Sequence, residues 1–342
     1  MTEKVSLKIN GKNFQKWGQI NLNLSLDSID TFDFTTPMNA ENIDFRGTFQ
    51  PATYLSVEVL LNDEVVLTGV LNNKKTSLSS KDLSLGGYSR PGVLNDLPVP
   101  PDQYPLEFNN QTLAQIAVEM GSYYGVKAQF SHSPGAPFSE SVSPEPAEKI
   151  LAFLIKLAHK RSLLISNDAR GKMLFFKPGK KAGITSLKQG ELPLLDVQVD
   201  YDEQQLYDSV TGFGALIIGR DPEKFTVPLR ALSGVNRPFI YVVSDSQGAD
   251  LQKAVEFKAG RLFASAIKIS ASVLGWRNAA GKIYAPGDFV SLYSPNNFFY
   301  NETKLLIRNV RLSKSGSDES ASLDFVFPGV FSGELPKKLP WQ

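Results

Sequence analysis

The sequence lacks cysteine and contains only two histidines among its 342 residues. Without cysteine there are no disulfides, thiolate metal sites or cysteine nucleophiles, which is typical of a chain made in a reducing compartment. His132 lies in a Pro- and Ser-rich loop and His159 near the end of a predicted helix. Two histidines without further ligands at usable spacing do not make a zinc site. Dinucleotide-binding and nucleophile-elbow motifs are also missing, so we predict no metal, no cofactor and no catalytic residues.

An excess of charge of either sign is missing too. Lys and Arg total 36 against 35 for Asp and Glu. Proteins that bind nucleic acid through its phosphates concentrate basic residues on one face or arm, so we expect no sequence-specific nucleic-acid partner. No apolar run has the length of a signal peptide or approaches the ~18 residues that cross a bilayer. We expect a soluble chain, made in the cytoplasm, that does not insert into membranes.

Strand periodicity is the main pattern that is present. Near the N-terminus Val5, Leu7 and Ile9 alternate with polar residues, and a turn-forming Asn-Gly pair follows, which predicts a β-hairpin. Further close-spaced hairpins predict a small antiparallel barrel or sandwich over residues 1–100. Residues 101–193 follow a proline-dense stretch and read as an α+β region, with helix-spaced residues Leu113, Ile116, Ala117 and Met120. Strand character returns near residue 194.

The β segments at the two ends of the chain resemble each other in their apolar spacing. The aligned pairs are Val57 with Val290, Val59 with Leu292, Val70 with Val310, Leu83 with Leu323 and Leu85 with Phe325. Between the second and third pairs the later copy carries seven extra residues, which lie within the stretch LYSPNNFFYNETK. We interpret the pattern as a duplicated β module.

That longer stretch contains three consecutive aromatic residues, Phe298, Phe299 and Tyr300, which we predict to lie in a long hairpin loop. Such rings could stack on a sugar or a nucleobase, or they could attach the loop to a neighbouring surface. Trp341 is in a C-terminal tail, residues 333–342, that is too rich in Pro and Lys to fold alone. The tail either docks on a partner or is disordered.

The sequence LDVQVDYDE is the best cluster of carboxylates. On a strand Asp196, Asp200 and Asp202 would share a face. Paired carboxylates can perform glycoside hydrolysis or bind calcium. A solvated strand face predicts the same alternation, and we favour that interpretation.

Several stretches together resemble a known family. They are VSLKINGKNFQKWGQINLNLSLDSIDTFDF, LSLGGYSRPGVLNDL, TLAQIAVEMGSYYGV, AEKILAFLIKLAHKRSLLI and the strands PGDFVSLYSP, LLIRNVRLS and ASLDFVFP. In order and pattern they are similar to the baseplate hub proteins of Mu-type contractile-tailed phages. That group includes the late-control D tail proteins and the hub part of type VI secretion spikes. The resemblance extends over nearly the whole chain.

The resemblance implies an α+β, mainly β fold with two related small antiparallel β-barrel domains and an α+β middle region. The implied segments are a first barrel (1–100), a middle domain (101–193), a discontinuous second barrel (194–214 and 266–332), an insertion that packs with the middle domain (215–265) and the tail (333–342). Three subunits would close into a ring of six barrels. Such a ring matches a six-fold tail tube on one face and a three-fold spike on the other.

The implied function is that of a structural, non-enzymatic baseplate hub, made in the bacterial host cytoplasm and located in the tail baseplate of the virion. Its expected partners are two further copies of itself, the tail spike protein, the tail tube protein and other baseplate proteins. Phe298, Phe299, Tyr300 and Trp341 would then be protein-interface residues. Asp196, Asp200 and Asp202 would line the central channel and keep passing DNA from adhering. The alternative functions are a carbohydrate-binding adhesin that uses the aromatic loop and a cell-wall or polysaccharide hydrolase that uses the carboxylates.

Overall fold

The structure, a computed structural model, describes residues 3–178, 184–214, 221–229, 231–232, 234–243, 248–331, 336 and 338–342. Its main feature is a 13-stranded sheet to which both ends of the chain contribute. Two three-stranded sheets and five α-helices accompany it within these residues. The predicted class, α+β and mainly β, is therefore confirmed.

The first β module comes from the first quarter of the chain. Its elements are β1 (Val5–Ile9), β2 (Lys12–Phe14), β3 (Gln19–Ser25), β4 (Thr31–Pro37), α1 (Ile43–Phe49), β5 (Leu55–Leu61), β6 (Glu64–Lys75) and β7 (Asp82–Ser89). The β1–β2 turn follows from its sequence, because Asn10 and Gly11 have the positive φ angles, 49° and 75°, that a type I′ turn requires. Along β4, Phe32 and Phe34 are buried and alternate with polar residues, which is the pattern of a sheet with one solvated face.

The middle of the chain forms a separate small sheet and a second hydrophobic core. Its elements are α2 (Val93–Asp96), α3 (Leu113–Ser122), β8 (Ala128–Phe130), α4 (Ile150–Lys160), β9 (Leu164–Asn167) and β10 (Met173–Phe176). Helix α3 begins at a capping box. The Thr112 side chain accepts a hydrogen bond from the backbone N–H of Gln115, and the Gln115 side chain accepts one from the backbone N–H of Thr112. The four residues that predicted this helix are all buried in the second core.

The rest of the chain builds the second β module and a helix-backed sheet. Its elements are β11 (Ile184–Lys188), β12 (Leu194–Tyr201), β13 (Ser209–Phe213), β14 (Lys224–Pro228), β15 (Pro238–Val242), α5 (Gly248–Ala266), β16 (Ile267–Leu274), β17 (Phe289–Ser294), β18 (Phe299–Ser315) and β19 (Asp318–Val326). Strands β14, β13 and β15 form the second three-stranded sheet, and α5 packs on it. Strands β11, β12 and β16–β19 join the large sheet.

The two modules have the same strand order. In the first module the antiparallel order is β5-β6-β7-β4-β3, and in the second it is β17-β18-β19-β16-β12. A further strand flanks each module, β1 beside β5 and β11 beside β17, although β1 pairs antiparallel and β11 parallel. The chain therefore contains one β topology twice.

The residue-by-residue alignment made from the sequence is wrong, although the strand order is shared. Val70 lies opposite Tyr88, whereas its aligned partner Val310 lies opposite Leu323. The reason is a difference in turn length. The turn between β6 and β7 spans residues 76–81, whereas the turn between β18 and β19 has only two residues. Apolar spacing alone does not fix a register that depends on turn length.

The two modules share a single sheet and a single core. Strand β3 pairs antiparallel with β18 along Gln19–Ser25 and Asn309–Ser315, and one hydrophobic cluster extends through both modules. Within the described residues the sheet runs from β12 to β2 without closing. The modules are thus open rather than closed barrels, because the outer edge of β3 bonds to the other module instead of to its own.

Candidate functional site

One face of the large sheet is polar across both modules. A single row of cross-strand partners runs from β12 to β4 and consists of Asp196, Ser272, Ser322, Arg311, Asn23 and Thr31. An alternate row on the opposite face consists of the buried residues Leu194, Val273, Ala321, Leu312, Leu22 and Phe32. Because cross-strand partners share a face, the sheet gives one side to the core and presents a largely polar side from β12 to β4, in which the exposed Leu274 of β16 is an apolar member.

Short side chains that bond to one another dominate this polar face. Asn23 donates to Thr31 at 3.1 Å, and the neighbouring rows contain similar pairs. Those rows are Gln198, Ser270, Asp324, Asn309 and Ser25, and Ser320, Ser313, Asn21 and Asp33. The charged residues of the face are Asp33, Asp196, Asp200, Asp318 and Asp324 against Lys268 and Arg311. The face is therefore mildly acidic.

The structure places two of the three predicted channel aspartates on this face. Asp196 and Asp200 are exposed on β12, which is an edge strand of the sheet, and Asp200 forms an ion pair with Lys268 at 3.3 Å. Asp202 lies beyond the end of β12 and is half-buried. Its carboxylate caps a short 3-10 helix by accepting from the backbone N of Gln204 at 3.2 Å. The alternation predicted from the sequence therefore ends one residue before Asp202.

The three consecutive aromatic residues do not share a loop. The turn after β17 is the 3-10 helix Pro295–Asn297, Phe298 follows with a positive φ of 62°, and β18 begins at Phe299. Strand alternation turns Phe299 into the core, where it is fully buried, while Phe298 and Tyr300 are about half exposed. In this structure Phe299 is a core residue, and only Phe298 and Tyr300 remain available to a partner.

Trp341 joins these two rings through a residue that the sequence did not single out. The Tyr201 ring lies edge-on to Phe298 at 6.0 Å and to Trp341 at 5.3 Å, and Phe298 lies edge-on to Tyr300 at 6.3 Å between centroids. We call Tyr201, Phe298, Tyr300 and Trp341 the aromatic cluster. Tyr201 lies 140 positions from Trp341 in the sequence. It is on the face of β12 opposite to Asp196 and Asp200, so no local sequence pattern connects it to Trp341.

Backbone and side-chain hydrogen bonds hold the cluster in place. The Tyr201 hydroxyl donates to the carbonyl oxygen of Asn297 at 2.8 Å, and burial raises the pKa of Tyr201 to about 12. The end of the chain is attached on both sides, because Gln342 donates to Ala231 and Tyr300 donates its backbone N–H to Pro340. The described part of the tail therefore docks on its own chain.

A groove of about 700 Å³ lies beside the aromatic cluster. Its wall includes Tyr201, Phe298 and Trp341 together with the aliphatic residues Leu206, Val235 and Leu339. Arg237 and Glu203 supply charge at its edge. This mixture of aromatic anchors with a polar rim is typical of protein-contact surfaces.

The histidines have structural surroundings. His159 on α4 stacks on Phe257 of α5 with centroids 4.2 Å apart, and burial lowers its pKa to about 3. His132 accepts a hydrogen bond from the backbone N of Lys177 at 3.3 Å. In the part of the chain that the structure describes, no three His, Cys, Asp or Glu residues are grouped so as to hold a metal ion. None of its helices has the length and apolarity needed to span a bilayer.

Comparison with known proteins gives two domain matches. Residues 4–87 match the family described as Mu phage baseplate assembly protein GpP-like, N-terminal. Residues 99–177 match the second domain of the baseplate hub protein gp44-like family. The baseplate hub protein gp44 of Escherichia phage Mu is 20% identical over 331 residues, which cover 93% of this chain and 86% of gp44. The resemblance that the sequence stretches indicate is therefore confirmed.

Solved structures show the same fold. The 43 kDa tail protein of prophage MuSo2 from Shewanella oneidensis is 22% identical, with a TM-score of 0.79 over 96% of this chain and 99% of that one. An Escherichia coli component of the type VI secretion system, described as similar to the T4 bacteriophage tail proteins gp27 and gp5, is 15% identical. Its TM-score is 0.54 over 96% of this chain and 79% of that one.

Proposed function

The chain is similar in sequence and fold to the baseplate hub proteins of Mu-type phages, and we propose that it is a structural baseplate hub that acts as a homotrimer. The observation that carries the proposal is the repeated strand order, β5-β6-β7-β4-β3 and β17-β18-β19-β16-β12. A chain with two related modules presents two similar surfaces, so three chains present six. Closed cyclic trimers are ordinary assemblies, and this one would meet a six-fold tail tube on one side and a three-fold spike on the other.

The polar face would line the channel of this ring. Its side chains are mostly short and polar, and its aspartates outnumber its basic residues. Like charges repel a polyanion at close range. Asp196 and Asp200, on the exposed side of β12, would keep DNA from adhering during passage.

The aromatic cluster would contact a neighbouring subunit or another tail protein. Half-exposed aromatic rings that already pack edge-on against one another lose little conformational entropy on binding, and such rings are frequent at the energetic centres of interfaces. Phe298, Tyr300 and Trp341 are the residues proposed for this contact. The chain would be made in the bacterial host cytoplasm and reside in the virion baseplate, with the spike and tube proteins as partners.

Electron microscopy of the purified chain tests the ring directly. The expected class averages show a ring with a central hole and six similar lobes from three chains. Particles without a hole would contradict the proposal, and so would rings in which the two modules of each chain occupy dissimilar positions.

The channel assignment has its own test on the assembled ring. Replacing Asp196 and Asp200 with Lys should increase the retention of DNA by the ring, whereas Glu41→Lys, in the exposed turn before α1 and away from the polar face, is the control. Equal retention by both variants would remove the channel role from β12 and leave the ring itself untouched.

A further inference from the structure

Three cationic side chains converge where α5 crosses the second module. Arg261 and Lys258 lie one turn apart on α5, and Arg308 lies on β18. The carboxylate among them is Asp27, in the turn after β3, whose side chain is only 4% exposed. The polar face of the sheet and the aromatic cluster contain none of these four residues.

The backbone of β18 explains why Arg308 reaches this place. A β-bulge between Ile307 and Asn309 makes Arg308 the extra residue of the strand, and such residues leave the regular alternation of side chains. Its Nε and Nη2 atoms each lie 3.0 Å from an oxygen of Asp27. This two-pronged contact satisfies both oxygens and fixes the guanidinium group.

The other two cations, Arg261 and Lys258, have few negatively charged partners. Arg261 reaches the same carboxylate through one contact of 3.4 Å. The Lys258 amino group lies over the rings of Phe239 and Tyr241, 5.3 and 6.0 Å from their centroids, and has no carboxylate partner among the described residues. Three positive charges thus face one negative charge. Burial, and then the charge of Arg261, lowers the pKa of Lys258.

The three cations open onto a small cavity of about 180 Å³. Leu262, Ala264, Ser265 and Phe331 form the rest of its wall. Partly buried positive charge without a partner is costly, and arginine forks together with a lysine are the groups that bind tetrahedral oxyanions. The size of the cavity admits one such group.

We propose that Lys258, Arg261 and Arg308 form a binding site for a phosphate-class oxyanion, either free phosphate or the phosphate of a monoester. Arg308 is already oriented by Asp27 and supplies the fixed side of the site. Lys258 and Arg261 supply positive charge in excess of the single carboxylate of Asp27, which Arg261 shares with Arg308. A bound anion would link α5 to β18 and hold the helix on the second module.

The test is thermal unfolding of the full chain during titration with inorganic phosphate, with sodium chloride adjusted to constant ionic strength. We expect a saturable rise in Tm, because a ligand that binds only the folded state stabilises it. Lys258→Gln should weaken the apparent affinity by roughly tenfold or more, the value of one charge-assisted hydrogen bond. Lys253→Gln, on an exposed position of the same helix, should leave it unchanged.

Arg261→Gln is a second variant of the site. Its affinity for phosphate should also fall, whether or not its Tm without phosphate changes. A parallel titration with phenyl phosphate identifies the source, since a monoester that binds more tightly than free phosphate indicates an ester ligand. No saturable rise with either reagent, or equal affinity in the wild type and Lys258→Gln, would overturn the proposal.

Discussion

Glu3 and Arg277 form a two-pronged ion pair between the start of the first β module and the second module. The Nη2 atom of Arg277 lies 2.8 Å from Oε2 of Glu3, and its Nε donates to Oε1. The Glu3 side chain is 4% exposed. The backbone N–H of Glu3 donates to Glu319 at 2.7 Å, and Lys314 donates to both Glu319 and the Glu3 carbonyl. Contacts at this one point therefore join the beginning of the chain to three side chains of the second module.

Glu3→Gln should lower Tm by a few degrees and make stability less dependent on pH in acid. Arg277, through its hydrogen bond, holds the pKa of Glu3 below its ordinary value. A lowered folded-state pKa contributes stability above the ordinary pKa and loses it as pH falls through the lowered value. The difference in Tm between wild type and variant should shrink below about pH 4. A difference that persists unchanged there would show that the charge of Glu3 is not the cause.

Asp30 predicts a pH dependence of the opposite sign. Burial raises its pKa to about 7, although its carboxylate accepts from Ser25 and from Asn167 of the middle region. The folded chain keeps a proton that the unfolded chain has lost, so stability should fall as pH rises from about 4 to 7. Asp30→Asn should flatten this slope in denaturant titrations, and Asp318→Asn, which is exposed, should preserve it. Equal slopes in wild type and Asp30→Asn would contradict the assignment.

Helix α5 packs closely against the backbone at Gly260. A Cβ at this position would lie 1.7 Å from the carbonyl oxygen of Val330, so Gly260→Ala must displace backbone. We expect a loss of about 3 kcal/mol in unfolding free energy. Gly47→Ala in α1 is the matched control, because no atom lies within 4 Å of its Cβ position; it should be neutral or stabilising by up to about 1 kcal/mol. Similar effects of the two substitutions would refute the tight packing of α5.

The aromatic residues should separate into two classes. Phe298→Ser, Tyr300→Ser and Trp341→Ser together should weaken assembly and leave the monomer folded, because the first two rings are half exposed and Trp341 is only partly buried. Phe299→Ala should instead lower the unfolding free energy by about 3–5 kcal/mol, the usual cost of removing a buried phenyl ring. Sedimentation velocity combined with urea unfolding measures both quantities. If the triple variant assembles as well as the wild type, the aromatic cluster is not an interface.

Local patterns in the sequence predict much of the fold. The spacing of Leu113, Ile116, Ala117 and Met120 places α3 correctly, and the Asn10-Gly11 pair identifies the first turn. Such elements are predictable because they depend on residues close in the chain. The sequence also indicates that a β module occurs twice, although the residue alignment behind that inference is wrong.

Features that depend on distant partners were not predictable. The register of β6 against β7 depends on a turn whose length carries no local signal for pairing. The contact between Tyr201 and Trp341 and the pairing of β3 with β18 join residues far apart in the chain. Phe299 is an intermediate case, because its burial would follow from strand alternation had the start of β18 been placed correctly.

Molar mass in solution tests the central claim most directly. Multi-angle light scattering of the purified chain, over a range of concentrations, should give three times the chain mass of 37.6 kDa once the concentration exceeds the dissociation constant. A mass that stays at one chain, or that stops at two or four chains, would contradict a ring built from three copies of a doubled β module.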